Sequence, residues 1–321
     1  MKKERILITG AGGQIGTELS TALRNVYSDC NVFVTDKSVE ALRSIKDAGP
    51  YAVLDATDGN AVLEVIKANN ITQVYHLAAL LSATGEREPK YTWDTNMSGL
   101  LNILEVSCQE KISKIYWPSS IAAFGPTTPR NNTPQKTIIE PTTMYGISKF
   151  SGELLCQYYF KKHGLDIRSL RYPGLISWKT IPGGGTTDYA VEIFYEALKS
   201  KSYTCFLSAN TYLPMMYMDD AIRGTIELME SPLEKILSRM AYNISAMSFS
   251  PEDVAKSIRE YIPEFQIKYK PDYRQEIANS WPENIDDTEA REDWEWAHKF
   301  NLKDMTRCML YHLTEKLGTI T

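Results

Sequence analysis

RILITGAGGQIG, residues 5–16, decides the fold: a short apolar run stops at Gly10, and Gly13 and Gly16 follow at equal spacing. The run reads as a buried strand, and QIGTELSTALRNVY (residues 14–27) has helical periodicity, so the glycines fall on a strand-to-helix turn. Glycine lets a backbone turn tightly and approach a ligand closely. The helix that follows offers unpaired N–H groups and the positive end of its dipole, a combination suited to a pyrophosphate. Asp36 closes the next apolar run, NVFVTD. An acid at that point accepts hydrogen bonds from adenosine ribose hydroxyls and repels a 2′-phosphate, so NAD is favoured over NADP, while the adjacent Lys37 works the other way. Asp55, in LDATD, is a candidate for the adenine edge.

Beyond this turn the alternation continues. VEALRSIKDAG (39–49) reads as a helix with a glycine stop, YAVLDATD (51–58) as a strand, NAVLEVIKANN (60–70) as a helix and QVYHLAA (73–79) as a strand. A helix around residues 92–111, a strand KIYWPSS (114–120), a long helix MYGISKFSGELLCQYYFKKHG (144–164) and a sixth strand DIRSLRYPG (166–174) complete the series. Strands alternating with helices of this length predict an α/β fold, a doubly wound parallel (Rossmann) sheet with ligands at the carboxyl ends of its strands. The pattern changes after Pro173. The expected division is a dinucleotide-binding domain over 1–173 and a smaller substrate-binding lobe over 174–321, with some segments returning to the first. In the lobe, Ser250-Pro251 with Asp253 three residues on signals a helix start.

A length of 321 residues fits one large domain or a large and a small one. A net charge of −5 gives no basic face for nucleic acid, and no apolar run is long enough for a membrane helix. Five scattered cysteines without a C-x-x-C suit reduced thiols, with Cys108 and Cys156 expected in the core. The four histidines lack metal-ligand spacing, so no metal site is expected. A first strand from Arg5 leaves no room for a leader, which suggests a bacterial cytoplasm. A mitochondrial matrix after removal of a targeting peptide stays open.

Tyr145 and Lys149 lie four residues apart in YGISK, on one helix face. A phenol is a poor base at neutral pH, and a neighbouring cation favours its phenolate, so the pair is a candidate proton-transfer device. Ser119 and Ser120 end the fifth strand, where a hydroxyl can donate to a substrate oxygen and steady the phenolate.

In this order the parts resemble the extended short-chain dehydrogenase/reductase superfamily, over nearly the whole chain. The residues that carry the likeness are Gly10, Gly13, Gly16, Asp36, Asp55, HLAA at 76–79, Asn96, Ser120, Tyr145, Lys149 and RYPG at 171–174. LLSATGE (80–86), SSIAAFGPTTP (119–129), YPGLISW (172–178), PGGGTTDYA (182–190), LPMMYMDDA (213–221) and NSWPENIDD (279–287) are similar to the metal-independent L-threonine 3-dehydrogenase branch. The resemblance implies NAD-dependent oxidation of L-threonine at its β-carbon to L-2-amino-3-oxobutanoate, in threonine catabolism. It makes Tyr145 the acid/base, Lys149 its tuner and a ribose ligand, and Ser120 the partner of the substrate hydroxyl. Asn96 would serve a proton relay or brace its helix. Gln14, Ile15, Ala56, Leu77, Ala78, Ala79 and Tyr172 would complete the cofactor site. Ser82, Gly185, Thr186 and Trp281 would meet the substrate, and Asp188 would be either an ammonium partner or a helix cap. Three consecutive glycines in PGGGTTDYA imply a lid. Helices near 97–110 and 146–162 would form a homodimer interface or face the sheet.

Two rivals stay open. A nucleotide-sugar epimerase or dehydratase of the same superfamily would use the same Tyr145 and Lys149, but calls for a larger, basic C-terminal lobe. A dinucleotide-sensing regulator would usually lack the Tyr–Lys pair.

Overall fold

The structure, a computed structural model, describes residues 4–181 and 183–318. The chain divides into two compact units, Met1–Ala123 with Met144–Arg171 and Ile222–Tyr242, and Phe124–Thr143 with Tyr172–Ala221 and Asn243–Thr321.

The first unit is built on strands β1 (Ile6–Thr9), β2 (Val32–Asp36), β3 (Tyr51–Val53), β4 (Gln73–His76), β5 (Lys114–Tyr116), β6 (Ser119–Ser120) and β7 (Ile167–Arg168). Six of them form one parallel sheet in the order β3-β2-β1-β4-β5-β7. β1 and β4 are buried at every residue, as strands covered on both faces must be. Strand order reverses between these two, so the crevice for a ligand opens at their carboxyl ends. Helices α1 (Gln14–Tyr27), α2 (Gly59–Ala68), α3 (Ser82–Arg87), α4 (Pro89–Glu110) and α5 (Met144–His163) pack around the sheet. Leu7, Val74 and Ile115 meet Leu100, Leu104 and Cys156 in the core.

The sheet requires one close approach that the chemistry later depends on. A Cβ on Gly152 of α5 would lie 2.3 Å from the Trp117 ring and 3.1 Å from Leu100. Glycine there lets α5 lie flat against the strand that ends at Ser120.

Two predicted elements differ. Residues 39–49 form turns and a short 3-10 helix, Lys46–Ala48, instead of an α-helix. Leu42 and Ile45 are buried, and i→i+3 bonds such as Leu42 N–H to Val39 and Ile45 N–H to Leu42 tighten the segment. Apolar residues three apart serve a 3-10 turn as well as an α-helix. The sixth strand breaks at Ser169 into β7 and Leu170–Tyr172. Cys156 is buried, whereas Cys108 is only half-buried.

In the second unit, Gly174–Ile176, Leu213–Tyr217 and Met247–Phe249 make a mixed three-stranded sheet. Ser202–Cys205 pairs in parallel with Gln266–Tyr269. Helix α6 (Tyr189–Lys199), Pro251–Arg259 and Leu302–Leu317 belong to this unit. Ser250 and Asp253 form a reciprocal capping box at the start of Pro251–Arg259. Among the described residues no helix is long and apolar enough to cross a membrane.

Gly152→Ala is expected to cost about 1–3 kcal/mol through overpacking against Trp117. Urea unfolding checks this, and an unchanged midpoint would contradict the packing account.

Candidate active site

The turn after β1 is shaped by contacts that no side chain could share. Gly10 has φ +68°, and a Cβ there would lie 2.5 Å from the backbone nitrogen of Ala78. On Gly16 a Cβ would meet the Gly10 carbonyl at 2.6 Å. Gly13 is the N-cap of α1, extended, with no side chain bonded over the helix start and no acid in the first turn. Backbone N–H groups at Gln14, Ile15 and Gly16 are thus left for an anion. Gly12, not singled out from the sequence, is equally constrained. A Cβ there would lie 2.5 Å from the Ala41 carbonyl, and its N–H donates to Asp36 Oδ2 at 3.0 Å. The extra glycine in GAGGQIG was the visible signal. This cradle, which a Cβ would fill, fits a dinucleotide pyrophosphate.

Asp36 ends β2 and also accepts its own neighbour's N–H, from Lys37, at 2.7 Å. Lys37 turns away from it: Nζ pairs with Asp55 Oδ2 at 3.2 Å and lies 5.7 Å from the Tyr91 ring centre. Burial works against the Asp55 charge, but bonds from Thr57 and Lys37 outweigh it and hold the carboxyl below its ordinary value. The positive charge next to Asp36 is therefore engaged with Asp55. Ala56 is buried behind it. Leu77 extends β4 by donating to Thr9 at 3.0 Å, and Ala78 and Ala79 follow on the same segment. Beneath them His76 Nδ1 meets Thr9 Oγ1 at 2.7 Å, and burial pushes its imidazole down to about 3, so it stays neutral.

Asn96, on α4, is a brace. Its Oδ1 accepts Leu80 N–H at 2.8 Å, and its Nδ2 donates to Leu80 O at 3.1 Å and to Ser148 Oγ at 3.2 Å. Ser148 in turn donates to the Tyr145 carbonyl at 2.7 Å. One amide thus ties the segment after β4 to the first turn of α5. Ser82 is buried at the start of α3. Gly85 on that helix lies against Tyr145, and Glu86 accepts the Met144 N–H at 2.9 Å, holding the start of α5. Neither Ser148 nor Glu86 carries a sequence signal of its own, because each works through a distant partner.

Ser120, Tyr145 and Lys149 are brought together in the first unit. Lys149 is 4% exposed; its ammonium donates to the Pro118 carbonyl at 2.6 Å and lies 4.7 Å from the Trp117 ring centre and 5.4 Å from that of Tyr145. Burial pushes the Tyr145 phenol up to about 12, against a hydrogen bond with Ser120. Burial also drives Lys149 down to about 7. Desolvation is the largest influence on both groups.

The other candidates belong to the second unit. Tyr172, Thr186 and Trp281 are buried there. Trp281 accepts at its carbonyl from Arg130 Nε at 3.2 Å. Asp188 precedes α6 but makes no side-chain cap; its Oδ2 accepts N–H groups of Gly184 and Gly185, both at 2.7 Å. The carboxylate organises the glycine loop, while the residue holds the N-cap position of α6 and its backbone carbonyl accepts from Val191 and Glu192. Burial raises the carboxyl against the bonds from the loop. Pro182, which heads the loop, lies outside the described residues. Trp294 and Trp296 are buried, and Trp296 Nε1 donates to Ser245 O and to Asp287 Oδ2, both at 3.1 Å. Among the described residues no group of three His, Cys, Asp or Glu is placed to hold a metal ion.

Comparison with known proteins agrees with this geometry. The model of the NAD dependent epimerase/dehydratase family matches residues 6–245. An uncharacterized epimerase/dehydratase of Staphylococcus haemolyticus is 49% identical over 314 residues, 98% of each chain. A GalE-like L-threonine dehydrogenase from Cupriavidus necator, in its holo form, is 54% identical over 96% of this chain and 99% of its own, with a TM-score of 0.94. The L-threonine dehydrogenase of Clostridium difficile is 48% identical over 98% and 99%, with a TM-score of 0.96. Asp36→Ala is expected to weaken NAD binding roughly tenfold, the order of a lost hydrogen bond to a charged group. Calorimetric titration checks this, and unchanged affinity would remove Asp36 from the site. Matches of this length and identity leave one conclusion about ancestry: the chain belongs to the NAD-dependent epimerase/dehydratase family, the extended short-chain dehydrogenases/reductases, and its cofactor is NAD.

Proposed function

We propose that this NAD-dependent oxidoreductase oxidises L-threonine at the β-carbon to L-2-amino-3-oxobutanoate. The observation that carries the reading is the meeting of Ser120, Tyr145 and Lys149 at the carboxyl end of the sheet, in a chain about half identical to L-threonine dehydrogenases along nearly its whole length.

Ser120 holds the substrate hydroxyl and its bond to the phenol opposes the rise that burial imposes. Tyr145 takes the hydroxyl proton and holds it on its phenol oxygen. Lys149, 5.4 Å from the Tyr145 ring centre, supplies positive charge beside the phenol and is assigned to the cofactor ribose. When bound, NAD accepts the hydride, and its cationic ring adds to the charge that favours the phenolate. Asn96 keeps α5 in place through Leu80 and Ser148. Ser82, Gly185, Thr186 and Trp281 are the candidates for the threonine carboxylate and ammonium. The second unit is read as the substrate-binding lobe, with the glycine loop as its lid.

Leu101 on α4 and Ile147, Leu154 and Tyr158 on α5 are exposed apolar residues, between 37% and 50% accessible. They support a homodimer formed through these helices. Sedimentation equilibrium is expected to give twice the chain mass; a monomer at all concentrations would remove the dimer.

Three measurements test the catalytic reading. Protein mixed with NAD and L-threonine is expected to raise NADH absorbance; silence there, with turnover of a UDP-sugar, would favour epimerase or dehydratase chemistry. Tyr145→Phe is expected to lower kcat by roughly 10²–10⁴ while sparing NAD affinity; retained turnover would refute its role. Thr186→Ala is expected mainly to raise KM for threonine, and an unchanged KM would take Thr186 out of the substrate site.

A further inference from the structure

One turn beyond Lys149 on α5 lies a second charged residue that the reaction described above does not use. Glu153 is fully buried, and so is Arg171, its partner. The two meet in a forked pair, Nε to Oε1 at 2.9 Å and Nη2 to Oε2 at 2.7 Å. Ser119 Oγ donates to the same Oε1 at 2.6 Å. Burying an ion pair is costly, and such a pair is weak evidence of a stabilising role in itself. Its position is more informative. Ser119 stands between Pro118, whose carbonyl accepts the Lys149 ammonium, and Ser120, which bonds the Tyr145 phenol. A single carboxylate therefore grips the strand end that presents partners to both members of the reactive pair.

The surroundings of Lys149 single out Glu153 electrically as well. From β4, His76 faces it as a neutral imidazole, pushed down to about 3 by burial and by Lys149. Trp117 and Tyr145 offer ring faces, and Pro118 a carbonyl. Burial drives Lys149 down, while Cys156 and Glu153 act the other way. Burial raises the Cys156 thiol so far that it carries no charge near neutrality. Glu153 is left as the negative charge that acts on the ammonium.

We propose that Glu153, clamped by Arg171 and Ser119, is a positioning residue for the Tyr145–Lys149 pair: it balances the Lys149 ammonium and fixes the strand end carrying Pro118 and Ser120. Its meaning for catalysis rests on the function proposed above. Its electrostatic part does not, because it concerns the ionisation of one lysine in the cofactor-free protein.

The test is an NMR titration of protein labelled at lysine Cε, with the Lys149 signal assigned by its loss in Lys149→Met. Glu153→Gln removes the carboxylate that pairs with the buried Arg171 and can fail to fold, so Glu153→Gln/Arg171→Met, which removes both charges, is titrated beside it. In Glu153→Gln the Lys149 midpoint is expected to fall by about one pH unit or more, the usual effect of losing a close opposite charge, and in the double variant by less, because the opposing charge of Arg171 goes with it. The ammonium is then lost at lower pH, so the rising limb of kcat against pH is expected to move to higher pH in the active enzyme. A purely structural role would lower kcat without moving either midpoint. An unmoved Lys149 midpoint in folded Glu153→Gln, or in the double variant where the single one does not fold, overturns the inference and leaves the proposed function untouched. Wild-type protein inactive on threonine would sink that function and leave the titration decisive.

Discussion

A lysine held out of water is the constraint on which the rest of this site depends. Lys149 keeps an ammonium beneath the sheet's carboxyl edge, where desolvation opposes its charge. Several features of the chain then follow as conditions for tolerating it. Pro118 must turn its carbonyl inward, Trp117 must offer its ring, and Gly152 must lack a side chain so that α5 can lie against that ring. The same burial raises the Tyr145 phenol to about 12. Burial thus disfavours the charged form of both groups, and the Ser120 hydrogen bond opposes it at the phenol.

The cofactor side is organised by backbone proximity instead of charge. Gly10 against Ala78 and Gly12 against Ala41 bring loops within distances that exclude a Cβ, and Gly13 leaves the first turn of α1 unobstructed. Lys37, the one residue that weakened the case for NAD in the sequence, is drawn off to Asp55. Asp36 is left at the end of β2 with its carboxylate pinned by Gly12 and Lys37 backbone donors.

The parallel sheet was legible because its strands are continuous apolar runs separated by glycine and asparagine stops. The meeting of Ser120, Tyr145 and Lys149 was legible because one residue ends a strand and the other two stand one turn apart on the helix that follows. What stayed hidden shares a physical cause. Residues 39–49 carry apolar residues three apart, a spacing that an α-helix and a 3-10 turn both satisfy, and tertiary packing of Leu42 and Ile45 decided between them. Asn96 to Ser148, Met144 to Glu86 and Ser119 to Glu153 are bonds between residues far apart in the chain, so neither partner announces the other. Asp188 shows the same limit: it stands at the N-cap of α6, but its carboxylate bonds the loop before it, which a helix start does not announce.

The central claim is that this arrangement removes hydrogen from the β-carbon of threonine. L-Threonine deuterated at that carbon, incubated with the protein and NAD, tests it most directly by mass spectrometry of the reduced cofactor. The account predicts that the deuterium is recovered in NADH and lost from the amino-acid product. NADH formed without the label, or label retained in unchanged threonine, would contradict it.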